Sequence, residues 1–114
     1  MNIQIFGTNK CFDTKKAQRW FKERGVRFQM IDLKQKPMSR GEFDNVCRAV
    51  GGWESLIDPK AKDQATLTLL RYLAGEEAKA DKLYENQHLL RTPIVRNGRQ
   101  ATVGYCPEVW QGWE

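Results

Sequence analysis

Two short alternating runs, NIQIF at residues 2–6 and VRFQMIDL at residues 26–33, bracket a stretch of helical periodicity, and this order limits the possible folds more than any other feature of the chain. Alternation of polar and apolar residues is a strand pattern, so strands are expected over Asn2–Phe6 and from Val26 into Ile31. Between them, starting at Thr14, the apolar residues Ala17, Trp20 and Phe21 fall at helical spacing. Lys15, Lys16, Gln18, Arg19, Lys22 and Glu23 take the opposite face, and Gly25 supplies the stop. A strand, a crossover helix and a second strand imply a parallel, right-handed unit, because a right-twisted strand followed by a right-handed helix packs back onto its sheet only that way.

The remaining segments add a second half. Ser39-x-x-Glu42 is a capping box that starts a helix; Phe43, Val46, Cys47 and Val50 form its apolar stripe and Gly51-Gly52 end it. Residues 63–90 are helix-favouring and divide at Gly75. In RTPIVRNGRQATVGY, Asn97-Gly98 between two strand-like runs predicts a hairpin with a type I′ turn. Pro107 then opens a short helix that Val109, Trp110 and Trp113 would pack onto the sheet. The order β-α-β-(α)-β-β-α predicts an α/β protein with a mixed four-stranded sheet and a helical insertion, the thioredoxin-like arrangement, formed by residues 1–114 as one domain.

Composition narrows the function classes. No apolar run approaches the roughly 18 residues of a membrane span, and the first residues lack the basic leader and apolar centre of a signal peptide. A cytoplasmic protein without membrane contact is expected. Three cysteines, at 11, 47 and 106, are odd in number and widely spaced, which suits neither a disulfide framework nor, with a single histidine, a metal site. The net charge of +5 is scattered among acids, so a solvated basic surface explains it as well as an anion site does, and no nucleic-acid-binding motif is present.

Cys11 is the candidate with chemistry. It stands between a strand and a helix start, where unpaired amides and the helix dipole stabilise a thiolate. Lys10 and Lys15 flank it, and the amides of the Gly-Thr-Asn run ending at Asn9 are able to curl around an oxyanion. The alternative is a small hydrophobe closing the sheet, although the polar loop of Asn9, Lys10, Asp13 and Thr14 is an unusual setting for one. Thr14 either donates its hydroxyl to the thiolate or caps the helix. Asp13 either opposes the thiolate or favours the helix start. Cys47, on an apolar stripe, reads as a core residue. Cys106 precedes the Pro107 helix and is either a resolving thiol or an incidental residue.

IFGTNKCFDTKKAQRWFKERGV and LLRTPIVRNGRQATVGYCPE resemble the corresponding segments of the arsenate reductase-like (ArsC/Spx) family, and the likeness spans essentially the whole chain. The resemblance implies a thioredoxin-like fold in which Cys11 attacks arsenate and glutathione with glutaredoxin resolves the adduct. No bound cofactor is implied, glutathione being a co-substrate. It further implies that Arg91, Arg99 and an insert residue hold the oxyanion. Thr92 stands directly before Pro93 where the reductases usually have arginine, Arg99 matches only loosely, and Lys60 stands in for an arginine. Pro93 is expected to be cis and to wall the site. Thr14 replaces the second cysteine of a C-x-x-C switch. The expected function is therefore a glutathione- or glutaredoxin-linked thiol oxidoreductase acting on a small oxyanion such as arsenate. The alternative is a non-catalytic, Spx-like regulator that binds the RNA polymerase alpha subunit, with Gly52 and its neighbours as part of the contact face. A degenerate domain without activity is a third option.

Overall fold

The computed structural model describes residues 1–113. The predicted parallel unit is present: β1 (Ile3–Gly7) runs into α1 (Phe12–Glu23) and returns in β2 (Phe28–Asp32), with Ile3 beside Phe28 and Gly7 beside Asp32. After α2 (Arg40–Val50), a short 3₁₀ turn at Trp53–Leu56, α3 (Gln64–Tyr72) and α4 (Glu76–Glu85) form the insertion. The chain then enters β3 (Ile94–Asn97), β4 (Gln100–Val103) and the short α5 (Pro107–Trp110). Strand order is β2-β1-β3-β4, with β1 antiparallel to β3 and β3 antiparallel to β4.

The sheet is covered on both faces, so β1 carries apolar residues on each side. Ile3 and Ile5 join Val95, Ala17, Trp20, Phe21 and Trp110 beneath α1 and α5. Phe6 and Ile94 face the other way, into a larger cluster with Phe43 and Val46 of α2 and with Leu67, Leu70 and Leu83 of the insertion. The capping box forms as the sequence predicts, with Ser39 Oγ accepting from the Glu42 amide at 3.2 Å and Glu42 Oε1 accepting from the Ser39 amide at 2.9 Å. Gly51 closes α2 in the left-handed region at φ 86°, and Gly75 separates α3 from α4.

Three local expectations change. α1 begins at Phe12 rather than Thr14, because the Cys11 carbonyl already accepts the first helical bond from the Lys15 amide. The hairpin turn is Gly98-Arg99, since Asn97 pairs with Gln100; among the described residues positive φ occurs only at glycines, so this is the II′ pattern with glycine first, not I′. On the last helix Trp110 is buried but Val109 points outward, 43% exposed. A bridge the sequence does not announce, Ile57 antiparallel to Leu90, ties the insertion to the segment entering β3, and the Arg91 amide donates to the Leu56 carbonyl at 2.7 Å.

Candidate active site

The topology brings four segments to one end of the sheet: the exits of β1, β2 and β4 and the entry of β3. Cys11 follows the β1 exit and is the N-cap of α1, with extended backbone (φ −81°, ψ 118°), so its side chain stands over the free amides of the first turn. Its amide donates to the Thr8 carbonyl at 3.2 Å, which fixes the loop. From the facing segment, Thr92 precedes Pro93 through a cis peptide bond, as expected, and the Thr92 carbonyl lies 3.4 Å from Cys11 Sγ. The protonated thiol donates there.

Ionisation reverses the preference among these neighbours. Partial burial pushes the thiol pKa up, but the Thr14 and Thr92 hydroxyls and the Thr14 and Asp13 amides, as donors to the thiolate, outweigh it, and the net position is below the ordinary 9.0. Thr14 is therefore not the cap; it is the third residue of α1, 1% exposed, and its Oγ1 has no hydrogen-bond partner in the resting arrangement. It fits there because Gly7 has no side chain: a Cβ at Gly7 would overlap the Thr14 hydroxyl and methyl.

Around this thiol, Asn9, Lys10 and Lys15 form an exposed rim. Pro93 is buried, and its carbonyl accepts from the Gly104 amide at 2.8 Å. Arg91 is exposed and lays its guanidinium across Gly104, where an added methyl group would meet Nη2 at 3.2 Å. Gly104, at φ 82°, is thus constrained both by backbone and by the arginine above it. The Ile57–Leu90 bridge holds the loop of Lys60 alongside the segment of Arg91; Lys60 itself is exposed on the turn that Asp58 Oδ1 closes by accepting the Lys60 amide.

Arg99 is not part of this arrangement. Asn97 pairs with Ile3, and Ile3 to Gly7 is roughly 13 Å of strand, so Arg99 at the hairpin tip lies at the other end of the sheet from Cys11. The family resemblance placed it on the oxyanion, whereas strand register puts it at the far hairpin tip. Cys106 does lie at the same end, but β3 stands between its strand and β1, and its Sγ turns to the Val103 carbonyl at 3.3 Å. Burial and Glu108 push its pKa up, partly offset by Arg91. All three cysteines are free thiols. Cys47 packs against the insertion cluster as its stripe position predicts, its pKa pushed up to about 11, chiefly by burial and then by Asp44. Sequence reasoning missed the contributions of Gly7 and of the Thr92 hydroxyl; a glycine closing a strand next to a helix start was the available signal for the first.

A helix-capping cysteine facing a cis-proline segment across a mixed β2-β1-β3-β4 sheet defines a thioredoxin-like protein with one thiol in the loop. The chain belongs to the ArsC family, whose model matches residues 6–113. Over 106 residues it is 26% identical to "Global transcriptional regulator Spx 2" of Oceanobacillus iheyensis, covering 92% of this chain and 78% of that protein. Among solved structures it resembles a putative ArsC family related protein from Bacteroides fragilis, with TM-score 0.83 and 21% identity, covering 100% of this chain and 98% of the other. It also resembles an arsenate reductase from Vibrio cholerae, with TM-score 0.81 and 22% identity, covering 96% and 94%. Among the described residues no helix is long and apolar enough to cross a membrane, and no three His, Cys, Asp or Glu side chains gather as a metal site would require.

Proposed function

We propose that the protein is a thiol oxidoreductase of the arsenate reductase type, with Cys11 as nucleophile and glutathione, alone or with glutaredoxin, as the reducing co-substrate. The observation that carries this reading is the placement of Cys11, a thiol at the N-cap of α1 that meets the cis Thr92–Pro93 segment, where donors on Thr14, Thr92 and Asp13 favour the thiolate and lower its pKa. Such a thiolate attacks an electrophilic arsenic or sulfur centre. For arsenate the balance is arsenate and two glutathiones giving arsenite, glutathione disulfide and water. Arg91 and the rim residues Lys10 and Lys15 would hold the anion, aided by Lys60 from the insertion; lysine lacks the fork that grips an oxyanion at two points, which weakens this set relative to three arginines. Three free thiols suit the reducing cytoplasm.

The experiment is arsenate-dependent NADPH oxidation coupled through glutathione, glutaredoxin and glutathione reductase, comparing the wild type with Cys11→Ser. Turnover in the wild type that disappears in the variant is the expected result; equal turnover in both would remove Cys11 from its role.

A second reading is favoured by the name of the curated relatives, which are transcriptional regulators. In it the chain binds the RNA polymerase alpha subunit without catalysis, through the surface around Gly52, which with Gly51, Trp53 and Cys47 lines a shallow cavity of about 340 Å³. Thr14 in place of a second cysteine speaks against dithiol control of such binding. Pull-down of purified alpha subunit, with the Cys11→Ser variant in parallel, separates the readings: regulator binding survives the substitution and catalysis does not.

A further inference from the structure

We propose that the sulfur Cys11 attacks belongs to a mixed disulfide carried on a polypeptide, and that Phe12 selects that polypeptide; this rests on the thiol oxidoreductase reading above. Phe12 is 77% exposed, whereas Phe6, Phe21 and Phe43 are all at or below 1%. Isolated apolar residues are common on protein surfaces. Phe12 differs by its place: it is the first residue of α1, next to the nucleophile, with its Cα about 3.8 Å from that of Cys11. The first helical position needs no large side chain, and acids or proline serve it best, so the helix gives no account of a phenyl group there.

The charged neighbours point the same way. Lys10, Lys15 and Arg91 are exposed and form no ion pair among the described residues, while Lys16 is engaged over the Tyr105 ring at 4.3 Å. A small tetrahedral oxyanion gains nothing from a phenyl ring and is served best by several forked donors, yet Arg99 lies at the far end of the sheet, leaving Arg91 as the one arginine of the predicted set near the thiol. An extended polypeptide with an apolar side chain beside its modified cysteine and carboxylates on either side uses the ring and the cations together.

The chemistry closes on a thiol reductant. The Cys11 thiolate attacks the small-thiol sulfur of the mixed disulfide; that S–S bond breaks, a new one forms at Cys11, and the polypeptide thiolate leaves and takes a proton from water. A second small thiol, as thiolate, then attacks the adduct, restoring Cys11 and carrying away the oxidised small disulfide. In sum one small thiol and the mixed disulfide give the small symmetrical disulfide and the polypeptide thiol, so the one disulfide bond passes from the polypeptide to the pair of small thiols and the polypeptide cysteine returns to its reduced form.

The test compares two mixed disulfides of glutathione. One is borne on an octapeptide with leucine beside the modified cysteine and two flanking glutamates, the other on 2-mercaptoethanol, and the readout is the ratio of their kcat/KM values. The wild type is expected to favour the peptide, Phe12→Ser to lower the ratio about tenfold through the peptide's KM, and Phe12→Tyr to restore it. A ratio within twofold of wild type in Phe12→Ser overturns the proposal. So does a wild-type dimer that Phe12→Ser converts to monomer in sedimentation, since the ring would then face a second copy. No turnover of either disulfide by the wild type, with Phe12→Ser equally silent, would instead remove the oxidoreductase reading on which the proposal stands, and the proposal with it.

Discussion

At the residue scale, Cys11 and Cys47 are both partly buried thiols, and their neighbours drive them in opposite directions. Cys47 sits in an apolar stripe near Asp44 and is pushed up to about 11. Burial also raises Cys11, but the Thr14 and Thr92 hydroxyls and the Thr14 and Asp13 amides, as donors to a thiolate, more than reverse it. The folded pKa is therefore depressed, so the thiolate is populated from a lower pH than in the unfolded chain, and alkylation should rise with pH through a midpoint below 9.0. Iodoacetamide labelling followed by mass spectrometry is expected to modify Cys11 before Cys106 and Cys47. Thr14→Val, which keeps the shape and removes the hydroxyl, should move the Cys11 midpoint upward; an unchanged midpoint would show that the hydroxyl contributes nothing to the thiolate. Position between a strand and a helix made Cys11 legible in the sequence. The Thr92 carbonyl was not, because it meets the sulfur across 81 residues of chain.

At the scale of elements, α3 begins on a cap that titrates. Asp63 Oδ1 accepts from the Thr66 amide at 3.0 Å to start α3, and Oδ2 lies 2.8 Å from His88 Nε2. The Thr66 hydroxyl and amide, and then His88, lower the Asp63 pKa from 3.8 to about 2. Because the folded value is depressed, this contribution to stability is complete above the unfolded value and lost as pH falls from about 3.8 through about 2. Urea midpoints followed by circular dichroism across that window should fall more steeply in the wild type than in Asp63→Asn, which caps without titrating. The elements themselves were largely readable, since amphipathic spacing, the Ser39 capping box and the Gly75 break are local signals. What escaped was set by pairing at a distance. Strand register moved the hairpin turn to Gly98-Arg99 and carried Arg99 away from the thiol, and the Ile57–Leu90 bridge has no pattern of its own in the sequence.

For the molecule as a whole, Trp110 locks the last helix to the sheet. It is 1% exposed, packs edge-on against Trp20 with ring centroids 5.4 Å apart, and donates from Nε1 to Thr102 Oγ1 at 2.8 Å. Trp110→Ala removes a large core ring and leaves the Thr102 hydroxyl without that partner, so a loss of about 3–5 kcal/mol is expected in urea unfolding monitored by circular dichroism. A loss under 1 kcal/mol would mean that α5 is not part of the cooperative unit. The contact between Thr14 and Gly7 acts on a different quantity, the order of the reaction in time. With a buried hydroxyl where a second sulfur would stand, a disulfide formed at Cys11 has no neighbour in its own loop to displace it. A well-oriented intramolecular thiol acts at an effective concentration that reaches about 10⁵ M or more, whereas a dissolved one acts only at its actual concentration. Under the proposed function the return of Cys11 to its reduced form would be bimolecular and its speed would follow the supply of free thiol in the surroundings, so the fraction of protein held as adduct would become a running measure of that supply.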